Sequence, residues 1–178
     1  YQKFSIEKEF PGACFIGPLY FQCGLSCVSV ARVSSEGRNE RRYLRRAKRF
    51  LAKIRSWVKK GNHNLRHCQY LLEAEVAAIN GKSKESKELY KTAISLSGRQ
   101  GLISDQALAH ERFADYLVLL NEMEDAGYHY KHALDLYNEW GAEAKAALLL
   151  KTRGDLVKPA GAIQFDTFSA KAVPEEAL

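Results

Sequence analysis

From Leu19 to beyond Ala142, apolar residues recur at steps of three and four, the period of helices buried along one face. Glycines and short polar runs interrupt the pattern at regular places. Read between these breaks, the chain predicts helices over Leu19–Ser35, Arg38–Lys60, Asn64–Asn80, Lys82–Arg99, Ser104–Leu120 and Glu122–Trp140. A shorter capping helix is expected over Ala142–Arg153. Gly81 breaks one helix from the next, and Asn121 starts a turn. Gly101 and Gly141 stand where a left-handed residue would close a helix. Residues 1–13 are expected to be extended. The stretch after 154, which contains Pro159, Gly161 and Pro174, is expected to form a flexible tail over 155–178.

The pattern repeats. Gly61, Gly101 and Gly141 stand forty residues apart, and sliding the chain against itself by that interval brings other positions together. Phe50, Tyr90 and Tyr130 coincide, as do Ile54, Ile94 and Leu134, and Ala74 and Ala114. Ser86, Tyr90 and Ala93 share their small–aromatic–small spacing with Ala126, Tyr130 and Ala133, at i, i+4 and i+7 on one helix face. Small residues let helices approach, and the ring fills the space between units. The expectation is an all-α, tetratricopeptide-like α-solenoid over 14–154: about three helix pairs and a C-terminal cap, each unit burying its apolar face on its neighbours. The first pair is the least regular, its turn at Ser35-Glu36-Gly37 coming early.

The segments "ALAHERFADYL" (107–117), "AGYHYKHALDLYNEWGAEAK" (126–145), "LLEAEVAAINGKSKESKELYKTAI" (71–94) and "RRYLRRAKRFLAKIRSWVKKGN" (41–62) carry a family likeness. They resemble the tetratricopeptide-like helical segment of very large multidomain signalling ATPases. The run Tyr-x-x-Trp-Gly-Ala-x-Ala-Lys, Tyr137 to Lys145, is the most specific part. The resemblance covers roughly residues 19–154 and implies a scaffold or regulatory array, with catalysis in other domains of a longer protein. A start at Tyr1 fits a fragment. The chain has no G-x-x-x-x-G-K-[ST] loop and no kinase signature set, so no catalytic residue and no cofactor is expected.

Charge adds one feature. The net charge is +6, yet Arg38–Lys60 holds eleven Lys and Arg against one acid, Glu40. The rest of the chain is mildly acidic. Along this segment Tyr43, Leu44, Ala47, Phe50, Leu51, Ile54, Trp57 and Val58 form an apolar stripe, so its aromatic rings are expected in the core. The basic face is expected to be solvated or to meet an acidic protein or another domain of the same chain. Nucleic acid or an anionic membrane is the alternative partner through the same helix. Partner-binding candidates are Arg42, Arg45, Arg46, Arg49 and Lys53 on this helix, with Gln69, Glu73, His110 and Arg112 on a concave face.

The remaining candidates carry less. Phe10–Ala31 is uncharged and long enough to cross a bilayer, but its Pro, Gly, Gln and Ser content points to a buried bundle helix. Cys14, Cys23, Cys27 and Cys68 read as free thiols of a reducing, cytoplasmic compartment. Cys23 and Cys27, with His63, His67 and Cys68, have ligand chemistry, but nothing in the sequence brings the pairs together, and no metal is expected. His110, His129 and His132, beside Glu111, Asp115 and Asp135, read as exposed helix positions. An enzyme using them would need His110, His129 and a carboxylate in one pocket.

Overall fold

A computed structural model describes residues 15–34 and 37–157. The described chain is all helical: α1 (Ile16–Val33), α2 (Gly37–Lys59), a 3-10 turn (His63–Leu65), α3 (Arg66–Ile79), α4 (Ser83–Arg99), α5 (Ile103–Leu119), α6 (Met123–Glu139) and α7 (Glu143–Val157). The segments expected over 1–13 and after Val157 lie outside the described residues, as does most of the turn at Ser35-Glu36. α7 runs past the expected stop, through Gly154 to Val157. Among the described residues no helix is long and apolar enough to cross a membrane.

The turns set the rhythm. Gly61, Asn121, Gly81, Gly101 and Gly141 all have positive φ, and in chain order they stand twenty residues apart. Each closes its helix with the same pair of bonds. At Gly101, its own amide reaches the Gly98 carbonyl at 3.1 Å and the Leu102 amide reaches back to Ser97 at 3.0 Å. The Asn121 turn repeats this with 3.0 Å bonds from Asn121 to Val118 and from Glu122 to Leu117. This double closure satisfies carbonyls that the helix end would leave bare and turns the chain sharply. Asparagine tolerates the left-handed conformation better than most residues with a Cβ, so it can replace glycine once.

Short turns fold consecutive helices onto each other. Each helix from α1 to α7 packs on the next in sequence, and α3 also touches α1 and α5. In the α5–α6 pair, Glu111 meets Tyr137 while Asp115 meets Tyr130, so the two helices run antiparallel. One continuous core results, from Phe21 and Val28 on α1 through Ile54, Leu72, Tyr90 and Phe113 to Tyr130, Ala146 and Leu149. Ser86, Tyr90, Ala126, Tyr130 and Ala133 are all fully buried, as the small–aromatic–small spacing requires. Burying side chains such as Leu72 and Ile54 contributes roughly 1.5–3 kcal/mol each, which holds helices that lack side-chain N-caps.

Candidate functional site

The first helices of successive pairs are joined by charge. Glu75 of α3 is fully buried. Arg112 of α5 donates to it through Nε at 2.7 Å and through a terminal nitrogen at 3.0 Å, and Arg32 of α1 donates at 2.6 Å. A buried carboxylate is tolerable only when so paired. Burial works against the Arg112 charge, but Glu75 overrides it and holds the guanidinium above its usual range. Tyr90 of α4 reaches the same place. Its ring stacks on Phe113 at 5.0 Å, and its hydroxyl is buried with no hydrogen-bond partner at bonding geometry. Burial and the nearby Glu75 charge push that hydroxyl well above the usual tyrosine range, so it stays protonated.

Forty residues on, the arrangement recurs with different strengths. Asp115 takes the place of Glu75 and Tyr130 that of Tyr90. The Tyr130 hydroxyl donates to Asp115 at 2.6 Å, and Arg153 of α7 approaches the same carboxylate at 3.5 Å. Beside it, Glu111 accepts from Tyr137 at 2.6 Å and from Lys145 at 2.7 Å. The Tyr137-to-Lys145 run therefore has a physical role: its first and last residues converge on one carboxylate of the preceding helix. Burial, then the hydrogen bond to its carboxylate, raises each of these two tyrosine hydroxyls above its ordinary value.

At the C-terminal ends of these first helices lies a shallow groove of about 280 Å³. Ala31 and Arg32 come from α1 and Ser34 from its C-terminal cap, Ala78 and Ile79 from α3, and Tyr116 and Leu119 from α5, with Glu40 of α2 at its side. Leu119 is 64% exposed there. The groove is mainly apolar, with Arg32 and, at its side, Glu40 as its charged groups.

The residues singled out in the sequence separate. Arg42, Arg45, Arg46 and Arg49 are exposed on α2, whose Ala47, Leu51 and Ile54 are buried. Arg42 and Arg46 lie 6.0 and 5.7 Å from the Tyr43 ring centre, and Lys53 lies 5.6 Å from that of Trp57. Glu73 is taken up by Arg55 at 2.6 Å and by Gln69 at 2.9 Å. Arg112 is held by Glu75.

His110 is buried, where the sequence suggested exposed histidines. Its neighbours come from α6: its Nδ1 shares a hydrogen bond with His129 Nδ1 at 2.9 Å, and its ring lies 5.2 Å from that of His132. Burial, then the neighbouring histidines, lowers His110 to about 3, and burial with His132 lowers His129 to about 4. Both rings are therefore neutral at pH 7. Neither the groove nor the larger cavity below includes them, and the carboxylate an acid–base site would need is not hydrogen-bonded to either ring.

A larger cavity of about 870 Å³ lies at the start of α1, lined by Phe21, Trp57, Leu65, His67, Cys68 and Asp105 among others. His67 Nε2 is 3.0 Å from Asp105 and 3.2 Å from Cys68 Sγ. A nucleophilic triad needs the two ring nitrogens to face different partners, one the nucleophile and one the carboxylate. Here both partners crowd one nitrogen while His67 Nδ1 is buried without a partner. Burial also pushes the Cys68 thiol far above its ordinary value, opposite to what a reactive thiolate needs. Among the described residues, no group of three or more His, Cys, Asp or Glu side chains is placed to hold a metal ion. Cys23 and Cys27 sit half-buried on α1, and His63 is exposed.

Set against protein-family models, curated proteins and solved structures, the chain matches none.

Proposed function

We propose that this chain is a tetratricopeptide-like solenoid that serves as a protein-interaction or intramolecular regulatory scaffold, the helical array of a larger signalling protein. One observation carries the reading: first helices from three successive pairs contribute to a single groove, through Arg32, Ala78 and Tyr116 among others. A groove assembled from repeated units suits an extended or helical segment crossing several of them. Its apolar floor would take aliphatic side chains, and Arg32, already shared with Glu75, would favour an acidic group near them. The reading assigns no catalysis to this chain. It is supported by the geometry of the Cys68–His67–Asp105 cluster and by the period of forty residues.

Selection of a random peptide library on the 178-residue chain tests it. Apolar peptides with an acidic residue are expected to emerge and to lose binding to Ala78→Arg, which places a long cation in the groove. Peptides that bind Ala78→Arg as well as the parent chain would remove the groove from the reading.

A further inference from the structure

The helix pairs differ in charge along the chain. α1 and α2 together carry eleven Lys and Arg against the single acid Glu40. α3 and α4 are nearly balanced, with five against four. α5 and α6 carry only Arg112 and Lys131 against seven acids. At α4 the charges pair locally, Lys82 just before the helix with Glu85, and Lys91 with Glu88. α2 and α6 have no such local balance. Arg41, Arg42, Arg45, Lys48 and Arg49 are exposed, and no carboxylate of the described residues lies within ion-pair distance of them. Glu124, Asp135 and Glu139 lie on one exposed face of α6; Lys131 shares that face, leaving it net acidic, and none of the three acids has a cation within that distance among the described residues. In the middle of that acidic face stands Tyr128, 60% exposed, its ring propped against His132 at 4.3 Å.

We propose that the basic face of α2 docks on the acidic face of α6 of a second copy of this chain. The charges are complementary, and the chain carries both surfaces. Tyr128 offers a ring face to an arginine guanidinium, the pairing of residue types that carries protein interfaces. The same features disfavour the other polyanions. Among the described helices only α2 carries a large basic excess, so a nucleic-acid strand longer than α2 would meet little further cationic surface. A lipid bilayer would gain no insertion, because Ala47, Leu51 and Ile54 of α2 are committed to the core. Each copy carries both faces, so the contact either closes as a two-fold pair or propagates. The proposal uses surfaces distinct from the groove and does not depend on it.

A charge-swap experiment on the whole chain decides it. The basic face is reversed in one variant, Arg41→Glu with Arg45→Glu and Arg49→Glu, and the acidic face in another, Glu124→Lys with Asp135→Lys and Glu139→Lys. All positions are exposed, and helicity by circular dichroism verifies that each variant folds. Sedimentation velocity at low salt is expected to show concentration-dependent growth of mass for the parent chain. It is expected to show none for either variant alone, and growth again when the two are mixed. Association should vanish at about 0.5 M salt, where screening acts within a few ångströms. A parent chain that stays monomeric at low salt overturns the proposal, as does a mixture of variants that does not associate. So does a parent chain that binds a labelled single-stranded oligonucleotide or phosphatidylserine vesicles through these arginines while remaining monomeric.

Discussion

Replacing Glu75 by glutamine removes one charge and almost no volume, at the point where three first helices meet. The parent carboxylate accepts three hydrogen bonds from two guanidiniums, at 2.6, 2.7 and 3.0 Å, and its side chain has no solvent exposure. The side chains of Arg32 and Arg112 are only 21% and 18% exposed, so water can restore little of the loss. A glutamine keeps one acceptor oxygen and turns an amide donor toward two cations. Hydrogen bonds to charged groups are worth about 1.5–3 kcal/mol each, and removing one member of a buried ion pair costs about 3–5 kcal/mol. Glu75→Gln should therefore lose about 3–5 kcal/mol. That is a large part of the roughly 5–15 kcal/mol available to a domain, and amounts to a fall in Tm of about 6–20 °C at this size. Urea unfolding of the whole chain, followed by circular dichroism at neutral pH, measures it. The control is Glu85→Gln, whose partner Lys82 lies on the surface and whose loss should cost under about 1 kcal/mol. Replacing the triad by apolar residues, Arg32→Met, Glu75→Leu and Arg112→Leu together, should recover most of the loss, because no charge is left buried alone. A Glu75→Gln chain as stable as Glu85→Gln would refute the reasoning.

Three further outcomes follow from the geometry. A Cβ on Gly127 of α6 would stand 2.6 Å from the Leu156 carbonyl oxygen of α7, so Gly127→Ala should push α7 away; hydrogen exchange should show faster exchange across Glu143–Val157 despite alanine's better helix propensity. Gly101→Ala forces a side chain into φ +67° and should cost about 1–2 kcal/mol in urea unfolding, whereas Gly37→Ala, with nothing within 4 Å, should be neutral or stabilising. His110 and His129 have folded pKa values of about 3 and about 4, below the ordinary 6.5. Above pH 6.5 both states hold these rings neutral; as pH falls the unfolded chain takes up protons first, so the rings' contribution is lost as pH drops toward the folded values. Each ring contributes a slope of at most about 1.4 kcal/mol per pH unit, and His110→Phe should flatten the fall in urea midpoint between pH 6.5 and 4.5; an unchanged profile would contradict the pairing.

Most of the helices were legible because their causes are local. The apolar period needs only one turn of sequence, and the turn residues announce themselves as Gly61, Gly81, Gly101, Asn121 and Gly141. The expected helix ends fall within about three residues of those observed, apart from α7, where Gly154 does not break the helix. The charged interior was not legible. Glu75 reads like any exposed acid, because what buries it lies 43 residues before and 37 after. A trace was present: the interval that aligns Tyr90 with Tyr130 also aligns Glu75 with Asp115. Glu73, its near neighbour, is the partner-binding candidate the local pattern offers, and it pairs with Arg55 of α2 instead. His110 failed for the same reason, its partners lying a helix away on α6. Gly127 beside Ala126 looked like one more small residue, since a backbone oxygen 29 positions on leaves no mark on local pattern.

The decisive observation is where a partner segment lies. Amide and methyl chemical-shift mapping of the chain with a selected apolar–acidic peptide reads this directly. Perturbations are expected to be confined to Ala31, Ala78, Ile79 and Leu119, with intermolecular contacts from the peptide to all three first helices α1, α3 and α5. Perturbations centred instead on the cavity around Phe21, Trp57 and His67, with the groove unmoved, would contradict that expectation.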